Sequence, residues 1–490
     1  MKLEYKDFEQ ILNIGIRLCT EKNENHLLSS ILENGMQITH CDAGTLYLFQ
    51  EECLHFKIMK TNSLGISRGD EGEEIDDMPP VPMREENVCA YTALHREIVN
   101  IPDVYDSDRF DFSGPKKYDA LTGYHTQSLL VIPLENNKGE LLGVLQLINA
   151  MDEEGKVVPF DEQYSLIMRS LGSMTAIELT NLAYTEELKA LLYSFVEAFA
   201  TAVDKRIPYN GSHTRRVAEY AGILGDYIIK KQERGEIQGD FDKNRKEKLV
   251  LAALLHDIGK MVIPLKVLNR ATRLDTGMER VDKRFELLAA YYEIDMLRGR
   301  ITEGEYQNKI AELKEEAEFI HRIDNVAFLD DASYEHVQKL AKKAYEKEDG
   351  SVMPYLTEEE TEYLSIRRGT LSAADRKLVE SHVVMTGKIL EKVHFNPSYT
   401  KVPRWAATHH ELLDGSGYPE HLQGEEIELE TRILTIADIY EALTAVDRPY
   451  KKPISKEKAF SVLRSMAEEG KVDLQLVNWL EEALEEEKGE

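Results

Sequence analysis

The chain has 490 residues, 42% of them apolar and 30% charged. That is enough apolar material for two to four packed domains at about 100–200 residues each, and it excludes a disordered chain. Lys and Arg number 60 against 89 Asp and Glu, a formal charge of −29. Duplex nucleic acid and anionic lipid are set aside as partners. A small anionic substrate stays open, because a few cationic groups or metal ions reverse the field locally.

The four cysteines, Cys19, Cys41, Cys53 and Cys89, form no C-x-x-C pair and read as reduced thiols rather than a disulfide frame or zinc site. The first residues lack the apolar core of a signal peptide, and no apolar run reaches bilayer length, so a cytoplasmic protein is expected.

Residues 5–40 carry helical spacing in Phe8, Ile11 and Leu12, then Leu27, Leu28, Ile31 and Leu32. Over 44–60 the period changes: Leu46, Leu48, Leu54, Phe56 and Ile58 alternate around Gln50-Glu51-Glu52, which predicts a β-hairpin. The acidic, Gly- and Pro-containing segment 69–83 predicts a mobile loop. Over 128–150 two apolar runs flank Asn136-Asn137-Lys138-Gly139, a second hairpin, and 161–205 is helical throughout. A strand meander bracketed by helices is an α+β arrangement.

NIPDVYDSDRFDF followed by TGYHTQSLLVIPLENNKGELLGVLQLINA resembles a GAF domain, and is similar to those of cyclic-nucleotide phosphodiesterases, over roughly residues 8–180. GAF domains that bind cyclic nucleotides carry an Asn-Lys … Phe … Asp-Glu signature. Here Asn149 is followed by Ala150, and Phe160 runs directly into Asp161-Glu162. The resemblance implies the fold and leaves open which small molecule, if any, it binds. Leu179, Leu182, Leu188, Leu191, Leu192, Phe195, Val196 and Phe199 recur at threes and fours, as on an amphipathic helix from sensor to effector. A homodimer through this helix is expected.

The second half is helical, with no convincing strand, and its chemistry lies in short separated motifs. The apolar run Leu249–Leu255 ends in His256-Asp257, with Gly259 as a helix terminator. An imidazole and a carboxylate at the end of a buried helix are costly unless something pairs them, and a metal ion does so. His213 opens an apolar-periodic helix. His382 falls in mid-helix after Ser372 and Asp375, which resemble a capping box. His409 and His410 are adjacent in RWAATHHELLDGSGYP, and Asp438 interrupts RILTIADIYEAL. Six of these seven groups interrupt helical apolar stretches and His213 sits at the edge of one; one such residue is ordinarily a satisfied core polar group, whereas seven His and Asp point to a multi-metal cluster.

These motifs resemble the HD-GYP family of metal-dependent phosphodiesterases. The likeness rests on His256-Asp257 with Gly259-Lys260, on HHELLDGSGYP (409–419) with its Gly417-Tyr418-Pro419, and on ADIYEALTAVDRPYKK (437–452). It covers about residues 195–480. The resemblance implies that His256, Asp257, His382, His409, His410 and Asp438 bind metal, with Asp257 bridging two ions and His213 a further ligand. Tyr209 stands where some members place a third-metal Glu, so two divalent ions are expected, iron ahead of manganese. It further implies that Lys260 contacts the scissile phosphate and that Tyr418, Arg448 and Lys451 hold the rest of a cyclic di-GMP substrate. That substrate would be opened to the linear dinucleotide pGpG, to GMP, or to both. No Ser or Cys nucleophile context is present. Turnover of another phosphoester, and binding without turnover, remain the competing readings.

The connection between Pro264 and Leu371 spans about a hundred residues, and its charged helical spacing predicts a helical hairpin or small bundle outside the cluster. The expected layout is therefore a GAF domain (1–180), a connecting helix (181–205) and an all-α HD-GYP domain (206–490) with an insertion at about 270–370.

Overall fold

The computed structural model describes residues 12–17, 20, 21, 23–70, 73, 75, 77–206, 211–445 and 453–489. Contacts divide the chain into two units, Met1–Leu191 and Leu192–Glu490.

The first unit is built on an antiparallel sheet of β1 (Cys41–Gln50), β2 (Cys53–Thr61), β3 (Ile66–Arg68), β4 (Val81–Pro82), β5 (Val99–Ile101), β6 (Leu129–Glu135), β7 (Leu141–Met151) and β8 (Val157–Val158). Its order is β3-β2-β1-β7-β6-β5, with β4 on β2 and β8 on β7. Both predicted hairpins form. Gln50 faces Cys53 across a two-residue turn in which Glu51 and Glu52 both take positive φ, the geometry that matches strand twist. The β6–β7 connection is held by the Asn136 side chain, which accepts from Lys138 N and Glu140 N.

Strand alternation sends Leu46, Leu130, Ile132, Leu145 and Leu147 to one face and Tyr47, Leu129, Val131 and Val144 to the other. The first face is covered by α1 (Glu24–Thr39), with Leu27, Leu28, Ile31 and Leu32 fully buried, and by the start of α4 (Glu162–Arg206). The second carries α2 (Val88–His95) and the aromatic rings of Phe110 and Phe112; α3 (Ser113–Thr122) follows those rings in the chain. With both faces covered, the central strands read as nearly unbroken apolar runs. Within the segment read as a mobile loop, Val81-Pro82 instead pairs with Cys53 and Leu54 of β2; residues 71, 72, 74 and 76 lie outside the described residues, as do Phe8, Ile11 and Cys19. Cys41, Cys53 and Cys89 are free thiols.

Asn149, at positive φ, accepts from Gln127 N and Ser128 N and donates to His125 O and Tyr124 Oη. Its amide is committed to holding the 124–128 loop.

The predicted connecting stripe lies on α4 but splits between two faces. Leu179 and Val196 are buried in cores, whereas Leu188, Leu191, Phe195 and Phe199 are each more than half exposed.

In the second unit α5 (His213–Glu233), α6 (Lys243–Leu255), α12 (Ala373–Leu390), α13 (Val402–Ala407), α14 (Leu429–Thr444), α15 (Lys456–Glu468) and α16 (Leu474–Gly489) pack around Val217, Leu224, Leu251, Trp405, Ile433 and Phe460. The segment expected to be an insertion has its own core. After α7 (Leu265–Leu268), helices α8 (Met278–Leu297), α9 (Glu303–Asp324), α10 (Asp331–Leu340) and α11 (Glu358–Leu364) enclose Phe285, Leu288, Ile320, Val337 and Leu364. The expectation of no strand in this half is corrected by a short hairpin, β9 (Ala344–Glu346) with β10 (Val352–Pro354). Only Tyr345 of these six residues is buried, so no alternating apolar pattern marks it.

Arg273 is fully buried and spends its guanidinium on the carbonyls of Ile323, Val326 and Ile366 at 2.5–3.2 Å. Each carbonyl left without a donor costs about 1–3 kcal/mol. Arg273→Leu should destabilise the insertion by at least about 3 kcal/mol, read as faster amide hydrogen exchange across 278–364 with 24–150 unchanged.

Candidate metal centre

Helix ends and helix interiors of the second unit converge on one polar cluster. His213 is the first residue of α5, and His256-Asp257 follow the last residue of α6. His382 lies inside α12 and Asp438 inside α14. His409-His410 lie in the turn after α13 rather than in a helix, which corrects the helical placement expected for them. All but His410, which is partly exposed, are buried. Three overlapping triads, His382/His409/His410, His213/His256/Asp438 and His256/Asp257/His409, each bring one ligand atom per residue within 4.8 Å of the others.

Orientation is set locally. The Nδ1 atoms of His256, His382 and His409 lie 2.6–2.7 Å from the carbonyls of Ala253, Val379 and Ala406, each three residues back. A carbonyl only accepts, so each Nδ1 carries the proton and each Nε2 presents a lone pair to the interior. All three Nε2 atoms and Asp257 Oδ1 are buried with no hydrogen-bond partner among the described residues. Asp257 Oδ2 lies 3.4 Å from His213 Nε2 and 3.3 Å from His256 Nε2, and its Oδ1 lies 3.4 Å from His382 Nε2. The carboxylate thus turns one oxygen to each side of the cluster. Asp438 Oδ1 is 3.3 Å from His213, and its Oδ2 is 3.8 Å from His410 Nδ1.

The electrostatics are those of a cation site. Burial drives the His382 imidazole down to about 4, drives His409 well below the usual histidine range, and lowers His410. These rings are held neutral, as ligands must be. Burial alone would raise Asp257 and Asp438, but His256 and Lys260 around the first and His213 around the second keep both well below the carboxylate range. His213 goes the other way: burial lowers it, and Asp257, Asp438 and Glu441 outweigh burial. Neutral imidazole nitrogen with carboxylate oxygen and no thiolate is a donor set for divalent iron, manganese, nickel or zinc. Four unpartnered buried donor atoms would each cost about 1–3 kcal/mol without such an ion. The residues present fit divalent metal.

Lys260 sits at the rim with Nζ 2.5 Å from Asp257 Oδ2. The Tyr418 ring is 4.9 Å from that of His410. Tyr418 is carried by a loop in which Gly415 takes a positive φ, and a Cβ at Gly417 would lie 2.6 Å from Glu411 Cα and from His410 O. Arg448, Lys451 and Tyr209 lie outside the described residues.

Gly259 does not terminate a helix. It lies in the 3-10 turn Ile258–Val262, where a Cβ would overlap the His382 carbonyl and reach 2.6 Å from Thr386 N. Glycine is needed there so that this turn can press against α12. Thr386 completes the joint, accepting from Gly259 N and donating to His256 O. Ser372 caps α12 by accepting from Asp375 N. The Asp375 carboxylate does not return the bond; it accepts from Tyr363 Oη and pairs with Arg270 of the insertion.

Sequence reasoning missed three buried carboxylates. Glu411 accepts from Glu420 N and Leu422 N and so holds the Tyr418 loop, Asp204 accepts from Thr214 N and Oγ1, and Glu441 binds His213 and Arg216. The signal for Glu441 was its i+3 spacing from Asp438 in an otherwise apolar helix.

A GAF-domain family model matches residues 23–179, and HD-domain models match 210–329 and 359–476. The chain carries a GAF domain followed by an HD-domain region. The chain is 41% identical over 95 residues to 3'3'-cGAMP-specific phosphodiesterase 3 of Vibrio cholerae, covering 19% of this chain and 20% of that protein. It is 32% identical over 102 residues to a cyclic di-GMP phosphodiesterase of Thermotoga maritima, covering 21% and 27%. The chain thus spans about a fifth to a quarter of the length of these curated relatives. A solved GAF domain from an Acinetobacter phosphoenolpyruvate-protein phosphotransferase matches with a TM-score of 0.28 at 15% identity, over 38% of this chain and 97% of that one. No helix among the described residues is long and apolar enough to cross a membrane.

Asp257 faces both sides of the HD-region cluster, so Asp257→Ala should weaken Mn(II) binding by more than about 100-fold, beyond the 10–100-fold typical of outer-shell changes. Calorimetric titration of anaerobic, metal-stripped protein measures it, with circular dichroism reporting an unchanged fold.

Proposed function

We propose that the HD region is an HD-GYP-type phosphodiesterase that hydrolyses cyclic di-GMP to pGpG and/or GMP in the cytoplasm, under control of the GAF domain. The reading is carried by one observation: unpartnered imidazole nitrogens from α6, α12 and the turn after α13 surround Asp257 in a single buried cluster. Its HD-GYP assignment rests on Gly417-Tyr418-Pro419 standing beside His410.

In this reading His213, His256, Asp257, His382, His409, His410 and Asp438 would hold two divalent ions, iron ahead of manganese, with Asp257 as the ligand common to both. Such ions supply charge stabilisation for a phosphoryl group and a water activated for in-line attack. The chain's own groups do the rest. The backbone carbonyls behind His256, His382 and His409 keep their Nε2 lone pairs aimed inward. Lys260, tethered at the rim, places an ammonium where phosphoryl oxygens gain negative charge. Tyr418 offers a ring and a hydroxyl to the remainder of the substrate, and Arg448 and Lys451 offer cations to its second phosphate. No side-chain nucleophile is required.

A homodimer is part of the proposal. The exposed residues Leu188, Leu191 and Phe195 recur at three and four on α4, as in a helix-pair seam. A second substrate, 3'3'-cGAMP, is favoured by the 41% identity to a phosphodiesterase named for it.

Turnover of cyclic di-GMP and 3'3'-cGAMP side by side, in anaerobic protein loaded with Fe(II) or Mn(II), tests the proposal. Hydrolysis of cyclic di-GMP at the higher kcat/KM supports it. Preference for 3'3'-cGAMP moves the substrate to the second reading, and tight binding with no hydrolysis of either overturns the enzymatic one. Lys260→Ala should lower kcat by about 100-fold while leaving metal content unchanged.

A further inference from the structure

His213 differs from the other buried histidines of the cluster in what stands behind it. His256, His382 and His409 lean on backbone carbonyls, whereas His213 Nδ1 is hydrogen-bonded to the carboxylate of Glu441. Glu441 lies one turn beyond Asp438 on α14 and is 1% exposed. Its two oxygens are divided. Arg216 Nε and Nη2 donate to Oε1 at 2.9 and 2.6 Å, and Oε2 is the oxygen bonded to His213 Nδ1. Arg216 in turn donates to Ser212 Oγ, so the guanidinium that orients Glu441 is itself held to the start of α5.

This arrangement constrains the other ring nitrogen. With Nδ1 bound to Glu441, His213 Nε2 is left facing Asp257 Oδ2 at 3.4 Å and Asp438 Oδ1 at 3.3 Å. One imidazole nitrogen converging with two carboxylate oxygens is a nitrogen and oxygen donor set that suits a divalent cation. A carboxylate behind an imidazole fixes its tautomer and ring orientation and raises its basicity as a ligand.

We infer that Glu441, oriented by Arg216, is a positioning residue that commits His213 Nε2 to a divalent cation shared with Asp257 and Asp438. The inference rests on the proposed metal centre and names a residue that acts through another. Glu441 itself points away from the interior of the cluster and touches His213 from behind.

The experiment is a double-mutant cycle on the full chain: wild type, Glu441→Ala, His213→Ala and the double variant, each stripped of metal and titrated with Mn(II) alone, with thermal unfolding recorded for each. A residue acting through His213 gives a non-additive cycle. Glu441→Ala should weaken Mn(II) affinity by about 10–100-fold in the wild-type background, and by less than about 3-fold once His213 is already alanine. If Glu441→Ala does not fold, Glu441→Gln, which fills the same volume without the charge, takes its place in the cycle. Equal losses in both backgrounds would show that Glu441 merely supports the fold and would overturn the inference. So would wild-type affinity in the Glu441 variant. The titration contains no nucleotide, so the two readings fail separately. Absence of turnover with an intact cycle removes only the proposed activity, and an additive cycle in an enzyme that still hydrolyses substrate removes only the role of Glu441.

Discussion

Desolvation of imidazole nitrogen and carboxylate oxygen is the constraint around which the helical unit is arranged. A polar atom buried without a partner costs about 1–3 kcal/mol, and this cluster contains His256 Nε2, His382 Nε2, His409 Nε2 and Asp257 Oδ1 in that condition. A fold whose net stability is about 5–15 kcal/mol does not carry that load for packing reasons. The neighbouring hydrogen bonds make the load directional. Backbone carbonyls take the outer Nδ1 protons, Thr386 and Thr435 fasten the backbone of His256 and His409, and Gly259 lets the His256-Asp257 turn close on α12. Each of these devices aims a lone pair inward, where a cation would compensate it.

The fold was legible wherever burial leaves a period. The two hairpins of the GAF domain and α1 follow from alternation and from i, i+3, i+4 spacing, because each element has a defined inner face. The β9–β10 hairpin has no such face beyond Tyr345 and left no pattern. The α4 stripe divides for a related reason. A helix packed by different partners along its length has more than one apolar face, and residues as close as Leu191 and Val196 fall on opposite sides of that division. Periodicity reports that a residue avoids water somewhere, not which surface covers it.

The candidate ligands were legible because charge inside an apolar helix is conspicuous. Asp438 among Ile436, Ala437 and Ile439, or His256 after Leu254-Leu255, has no local reason to be there. The groups that orient them were not legible. Glu411 is held by the backbone amides of Glu420 and Leu422, and Asp204 by the amide and hydroxyl of Thr214, groups brought to them by turns the sequence does not specify. His409 and His410 read as interrupting a helical apolar stretch, but the helix before them is only six residues long and ends at Ala407. The ligands sit beyond it because a turn, unlike a helix, can direct two adjacent side chains into one cluster.

The insertion shows how a domain can be interrupted without dividing its chemistry. One HD-domain match supplies His213, His256 and Asp257 and the other His382, His409, His410 and Asp438, yet all seven belong to the same second unit. The entry and exit of the inserted segment are adjacent: Thr370 Oγ1 donates to the carbonyl of Arg270. For a segment whose ends already meet, added length costs the host little, since loop-closure entropy grows only with the logarithm of length. The segment contributes its own core around Phe285 and Ile320, so it does not draw on the apolar residues that enclose the ligands. What it does touch is the first turn of α12, through Arg270, Tyr363 and Asp375, two turns before His382.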